Sequence, residues 1–343
     1  MKRTWAILAV LGAAAGSAAA QTSSLVIFGV VDQGVIKGNG GTAANGGGNG
    51  TFEGWKVGQA AASRLGFRGT EDMGGGWSAF FEIQHRFTPD DGVASTPYWG
   101  ARSFVRLNSP FGSVYGGRDY SPEYFAASST DPFGHDGVGK LIDMQYTRLF
   151  GQVNGSFDPS RSSIRLNNMV GYITPAFAGL QARVVASAGE GGQNGNDPGH
   201  TTGAFVEYNR GALYSALGYT RIGKTAGPIA GPFQDNSLLN LGLNYDFGVT
   251  KLMAYAARSK TNFGNATNKA FSLGARTPIG PGVLKTAYAR LDPNGDNNTL
   301  QKLAVGYDYL LSKRTSVYVD ASQGREDAKT NNSAYSAGIK HVF

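Results

Sequence analysis

Lys302-Leu303-Ala304-Val305-Gly306-Tyr307-Asp308-Tyr309 is the stretch that decides the fold class of this chain. Side chains of a strand alternate between its two faces, so Leu303, Val305, Tyr307 and Tyr309 share one side. Lys302, Ala304, Gly306 and Asp308 share the other. The same period of two recurs over 239–247, where Leu239, Leu241, Leu243, Tyr245 and Phe247 alternate with Asn240, Gly242, Asn244 and Asp246. Thr315, Val317, Val319 and Ala321 again alternate with Arg314, Ser316, Tyr318 and Asp320. A soluble sandwich alternates too, so the choice rests on what surrounds these segments.

Three features point to a membrane. Short turns (71–76, 108–112, 175–179, 247–249, 277–281 and 311–313) take turns along the chain with longer, polar connections. A transmembrane barrel has this plan, with tight turns at one end and long loops at the other. Aromatic residues stand near strand ends, as in Tyr245/Phe247, Tyr307/Tyr309 and Phe80/Phe81, where membrane girdles lie. The polar face, rich in Gly, Asn, Asp, Lys and Arg, suits a wet interior better than a packed core. The segments read as an all-β, transmembrane, antiparallel barrel of about sixteen strands, near 24–36, 54–69, 77–88, 99–108, 113–119, 164–174, 180–188, 201–209, 212–222, 237–247, 249–260, 269–277, 282–291, 300–310, 314–323 and 334–343. An even count keeps both termini on the same side of the membrane.

The N-terminus reads as a leader. Lys2 and Arg3 precede an apolar stretch from Trp5 to Ala15, and Ala18-Ala19-Ala20 supplies a small-residue cleavage site. The apolar stretch is too short to span a bilayer as a helix, so 1–20 is predicted to be a signal peptide. Residues 21–343 then form one barrel domain starting at Gln21. Removing the two basic residues of the leader lowers the formal charge of the 343-residue chain from +7 to +5. Glycine (51) and Tyr and Phe (16 and 19) are abundant, and cysteine is absent. An exported chain without cysteine cannot be a small disulfide-stapled fold. The predicted location is the bacterial outer membrane.

Several segments resemble the general trimeric porins of Gram-negative bacteria, in their β-proteobacterial branch. They are Ser24-Leu25-Val26-Ile27-Phe28-Gly29-Val30-Val31-Asp32, then Ser63-Arg64-Leu65-Gly66-Phe67-Arg68-Gly69-Thr70-Glu71-Asp72 with Gly74-Gly75-Gly76, then Phe111-Gly112-Ser113-Val114-Tyr115-Gly116-Gly117-Arg118, then Leu311-Ser312-Lys313-Arg314-Thr315, and the ending Gly338-Ile339-Lys340-His341-Val342-Phe343. The resemblance implies a passive diffusion channel for small hydrophilic solutes and ions, built as a homotrimer and in contact with outer-membrane lipid and lipopolysaccharide. It also implies that Phe343, on one strand face with Tyr335, Ala337, Ile339 and His341, is read by the barrel-assembly machinery.

The segment 119–163 is long for a connection inside a compact chain, and such connections are usually functional. It carries Glu123, Asp131, Asp136 and Asp143, with Pro122 and Pro132 limiting its freedom. The resemblance implies that this third loop folds into the barrel and narrows it, facing a basic wall. Arg64 and Arg68, four apart on one strand, share a face; Arg118 and Arg165 lie on the strands flanking the loop. Arg102 stands one position beyond the place where the family often has a basic residue, a shift that would turn its side chain from the lumen. Charged rings are the usual basis of selectivity in such pores, so a preference for anions is expected, with the loop acids pulling the other way. Pairing of the arginines with loop carboxylates is the alternative reading.

Other chemistries fit poorly. Gly218-Tyr219-Thr220-Arg221-Ile222-Gly223-Lys224-Thr225 matches G-x-x-x-x-G-K-T. That motif, however, needs a helix N-terminus to hold phosphate, and the following Ala226-Gly227-Pro228-Ile229-Ala230-Gly231-Pro232 forbids one. Asp292-Pro293-Asn294-Gly295-Asp296 begins like a calcium loop, but Asn297 and Leu303 stand where Gly and Glu belong; a surface cation site in an external loop stays open. His85, His135, His200 and His341 are scattered without metal spacing. No catalytic pair, cofactor or metal is assigned, and the dispersed basic residues argue against nucleic acid. A substrate-specific channel, with Tyr124, Phe125 and Phe133 as an aromatic track, and a non-conducting structural or adhesin barrel are the two rivals.

Overall fold

The computed structural model describes residues 23–44, 52–147, 149, 152–153, 156–157, 164–188, 200–225, 234–261, 266–292 and 299–343. The expected leader and its cleavage site lie outside these residues.

Among the described residues sixteen antiparallel strands close into a barrel. They are β1 (Ser23–Asn39), β2 in two pieces (Glu53–Gly58 and Arg64–Gly74), β3 (Trp77–Arg86), β4 (Arg102–Ser109), β5 (Gly112–Tyr120), β6 (Arg165–Ile173), β7 (Leu180–Ser187) and β8 (Thr201–Arg210). The second half comprises β9 (Leu213–Thr225), β10 (Gln234–Asp246), β11 (Lys251–Thr261), β12 (Ala266–Ile279), β13 (Gly282–Asp292), β14 (Leu300–Leu310), β15 (Thr315–Glu326) and β16 (Asn332–Val342). Each strand pairs with its sequence neighbours, and β16 returns to β1 in register from Val30↔Val342 to Gly38↔Ala334. Closure leaves the sheet no edge, the condition for strands to cross a membrane. Every connection from an even to an odd strand is short, and all lie at the same end as the start of β1 and the end of β16.

The faces are the reverse of a soluble protein's. Leu239, Leu241 and Leu243 of β10 are 48%, 52% and 45% exposed, while the alternating Asn240 and Asn244 are 1% and 8% exposed. A water-surrounded sandwich would bury the leucines. The outward face is therefore the apolar one, facing lipid. Aromatics crowd its short-turn end, with Trp77, Phe111, Phe177, Tyr245, Phe247 and Tyr309 all exposed. Phe81 joins them, but Phe80, also expected in the girdle, faces inward. Adjacent residues of a strand cannot share a face.

Phe343 belongs to this girdle as well. Gly29 N–H donates to the Phe343 carbonyl (3.0 Å), and Phe343 N–H donates to the Gly29 carbonyl (3.1 Å). A Cβ on Gly29 would strike the Phe343 ring, so glycine lets the terminal aromatic lie flat at the seam.

The strand expected over 54–69 is interrupted at 59–63. The cause is Asp32, fully buried on β1. Its carboxylate accepts the Ala60 and Ala61 N–H groups (2.9 and 3.1 Å) and the Tyr318 hydroxyl (2.8 Å). Peptide groups that would otherwise extend the ladder are held by a side chain instead.

Leu241 stands near the middle of β10, so Leu241→Arg places a charge in the hydrocarbon. A loss of about 2–4 kcal/mol is expected in urea titration of vesicle-embedded protein. Unchanged stability would contradict the outward assignment of this face.

Candidate functional site

The inner face of β9 to β15 is covered by the segment that follows β5. This segment opens with helix α1 (Pro122–Ser129), with proline in its first turn, where a missing N–H costs nothing. The wall supplies the donors and the loop supplies the carbonyls. Asn240 and Asn244 amides donate to the Glu123 and Ser129 carbonyls (2.8 Å each). Tyr255 hydroxyl reaches the Gln145 carbonyl (2.5 Å), and Ser259 and Asn268 both reach that of Leu149 (2.5 and 2.9 Å). Arg276 donates to the Pro132 carbonyl (2.7 Å), and Lys302 to those of Val138 and Lys140 (2.6 and 2.7 Å). Leu141, Met144, Tyr146 and Leu149 are fully buried beneath these bonds.

Two of the four loop acids serve this attachment. Glu123 is buried and accepts hydroxyls from Tyr146 (2.7 Å) and Thr220; burial pushes its carboxyl up from the ordinary range. Asp131, also buried, accepts the N–H groups of Phe133 (2.9 Å), His135 (3.1 Å) and Leu141 (2.8 Å), folding the loop tip on itself. Asp143 opens one turn of π-helix (Asp143–Thr147) away from the free space described next. Asp136 alone of the four borders that space.

Between the loop and the opposite wall lies a cavity of ≈ 790 Å³. Arg64 from β2, Arg86 from β3, Arg102 from β4 and Arg165 from β6 line it, with Lys56 and Lys140. Among the described residues the only lining acids are Asp90 and Asp136. Arg64 and Arg86 stand directly opposite one another in the ladder, a like-charge pair that is unfavourable without a compensating anion. The Nε atoms of Arg86 and Arg165 are buried without a hydrogen-bond partner among the described residues. Tyr120 and Tyr124 stack at 4.5 Å and 18° on the cavity's edge, and the Arg165 guanidinium lies 4.7 Å above Tyr120.

The sequence-predicted wall is thus partly assembled here. Arg64 and Arg165 line the cavity. Arg68 shares the face of Arg64 but sits toward the short turns, 5.1 Å over the Phe28 ring, outside the cavity. Arg118 stands opposite Ser103, one residue out of step with Arg102. It bonds the Gly100 carbonyl (2.8 Å) and the Asn167 side chain, also outside the cavity. Arg102 does not turn away: it is level with inward Gln84 and binds Glu82 (2.8 Å) and Asp119 (2.6 Å). Among the described residues the carboxylate partners of Arg102 are therefore on the wall, not on the loop. Arg86 escaped the sequence reading, although alternation from outward Phe81 through Glu82 and Gln84 leads to it.

Known proteins show the same build. The model of the Gram-negative porin family matches residues 6–329. Outer membrane porin protein 32 of Delftia acidovorans is 35% identical over 367 residues, covering all of both chains. An outer membrane porin protein of Bordetella pertussis is 28% identical over 403 residues, again covering both in full. Among solved structures, the anion-selective porin from Comamonas acidovorans superimposes with a TM-score of 0.78 at 28% identity, over 94% of this chain and all of that one.

Asp136 makes the site sensitive to pH. Enclosure in the lumen pushes its carboxyl up to about 6, against the pull of Lys340, Arg64 and Lys140. Burial pushes the neighbouring His135 ring down from its ordinary value, against the pull of Asp131. The carboxylate subtracts one charge from the cavity above pH 6 and none below. Reversal potentials should therefore shift toward anions as pH falls from about 7.5 to about 5, and Asp136→Asn should hold the low-pH value throughout. A flat wild-type profile is the contrary result.

Proposed function

The chain belongs to the Gram-negative porin family, and on that premise we propose that its arginine-lined cavity is the constriction that makes it prefer anions. It is a passive diffusion channel of the bacterial outer membrane, and its homologues are porins, channels rather than enzymes. What supports the preference is one imbalance: among the described residues six basic side chains line the cavity against two acidic ones. Two loop carboxylates that would oppose the arginines are instead used to hold the loop. A unit charge 4 Å away is worth about 1 kcal/mol even at the dielectric of water. Walls of low dielectric focus that field into the passage. A chloride ion is thus stabilised where a potassium ion is repelled, with no energy source and no covalent step. The similar porin from Comamonas acidovorans is anion-selective, which agrees with this reading.

The working unit we propose is a homotrimer seated in outer-membrane lipid and lipopolysaccharide. Its leader 1–20 is removed on export, and Phe343 is read by the barrel-assembly machinery. An unboiled sample is expected to migrate at about three times the monomer mass, in line with closed cyclic symmetry. A monomeric band under the same conditions would count against the trimer.

Selectivity is tested in planar bilayers across a potassium chloride gradient. The wild type should give an anion-selective reversal potential. Arg64→Gln and Arg165→Gln should each lower the anion-to-cation permeability ratio by up to about fivefold, the equivalent of about 1 kcal/mol. The loss should shrink at high salt as screening shortens the field. A cation-selective wild type would overturn the reading.

A further inference from the structure

The inner wall changes character on the short-turn side of the cavity. Phe80, Phe104 and Tyr115 form a run of rings 5.9 and 6.0 Å apart, and α1 adds Phe125. Two guanidinium groups lie on these rings: Arg106 4.6 Å over Phe80, and Arg183 4.2 Å over Phe125. Phe80 and Phe125 are only half-buried, so part of each ring stays open to the lumen.

The charges around these rings do not balance. Arg102, Arg106 and Arg183 share the neighbourhood with the carboxylates Glu82 and Asp119. Glu82 is engaged by Arg102 at 2.8 Å, and both oxygens of Asp119 are taken by Arg102 at 2.6 and 3.0 Å. Arg183 reaches Asp119 only at 3.7 Å. Arg106 has no carboxylate in ion-pair range among the described residues. The Nε atoms of Arg106 and Arg183 are buried with no hydrogen-bond acceptor among the described residues. One guanidinium too many, set over rings rather than against a carboxylate, is costly in a wall that needs only to be wet.

We propose that Arg106 and Arg183, with Phe80 and Phe125, form a second anion subsite that favours carboxylates carrying an aromatic body. A guanidinium fork matches a carboxylate in its plane, and the adjoining rings accept an aromatic body by offset or edge contact. A halide or acetate can use the charge but gains nothing from the rings. The inference rests on the anion-channel reading, because a solute leaving the larger cavity meets this surface next, and Arg102 borders both.

The test records chloride current through the purified, unboiled-stable channel in planar bilayers while benzoate or acetate is added. Benzoate should reduce the current at a concentration about tenfold below that of acetate, the scale of one aromatic contact. Arg106→Gln combined with Arg183→Gln should erase the difference, and Phe80→Leu should weaken benzoate alone. Should the double variant fail to assemble, Arg106→Lys keeps the charge but loses the fork, and should lose the benzoate preference while carrying chloride normally. Equal effects of benzoate and acetate in the wild type, or a preference surviving these substitutions, would overturn the subsite. Failure of the underlying reading shows separately, as a cation-selective reversal potential in the same recordings.

Discussion

A peptide group in hydrocarbon has nothing to bond to except another peptide group, and leaving one unpaired costs several kcal/mol. The rest of this molecule follows from meeting that demand with strands. Sixteen of them satisfy one another only if the last returns to the first, as β16 does along nine residues of β1. Once closed, each strand has one face in lipid and one in the lumen, and the alternation that would build a soluble core is turned inside out. The leucines of β10 face outward because the solvent there is apolar, and the asparagines face inward because water and a loop lie there.

The inward polar face solves a second problem. A long loop lying inside a barrel brings carbonyl groups with no ladder to join, and buried carbonyls need donors. Asn240, Asn244, Tyr255, Ser259, Asn268, Arg276 and Lys302 provide them from the wall. This division of labour has an electrostatic effect. Glu123 and Asp131 turn toward N–H and O–H groups, while the arginines of β2, β3 and β6 keep their charge for the passage. The field across the lumen is therefore less a contest between wall and loop than an excess on one side.

Much of this was legible in the sequence, and the reasons are physical. Period-two patterning needs no partner to be recognised, so all sixteen strands could be placed, and the long loop was evident from length alone. The site was less legible. Arg64 and Arg165, which the family resemblance put on the basic wall, line the cavity. Arg86 required carrying the alternation past the obvious aromatic pair through Glu82 and Gln84, and Arg118 lies at a register shift between Gly117 and Asp119 that local pattern does not reveal. The roles of Glu123 and Asp131 depend on partners elsewhere: Thr220 is 97 residues from Glu123. A carboxylate's sequence position does not say whether it will meet a solute or a backbone amide.

Asp32 joins parts of the chain that are made at opposite ends of synthesis. It holds the break in β2 close by, and it also takes the hydroxyl of Tyr318, 286 residues further on. The carboxylate thus gains its full set of hydrogen bonds only when the fifteenth strand has arrived, and contacts of such long range are slow to form. The same carboxylate acts as a latch between beginning and end, so the bend that shapes the passage is completed only in a barrel that has already shut.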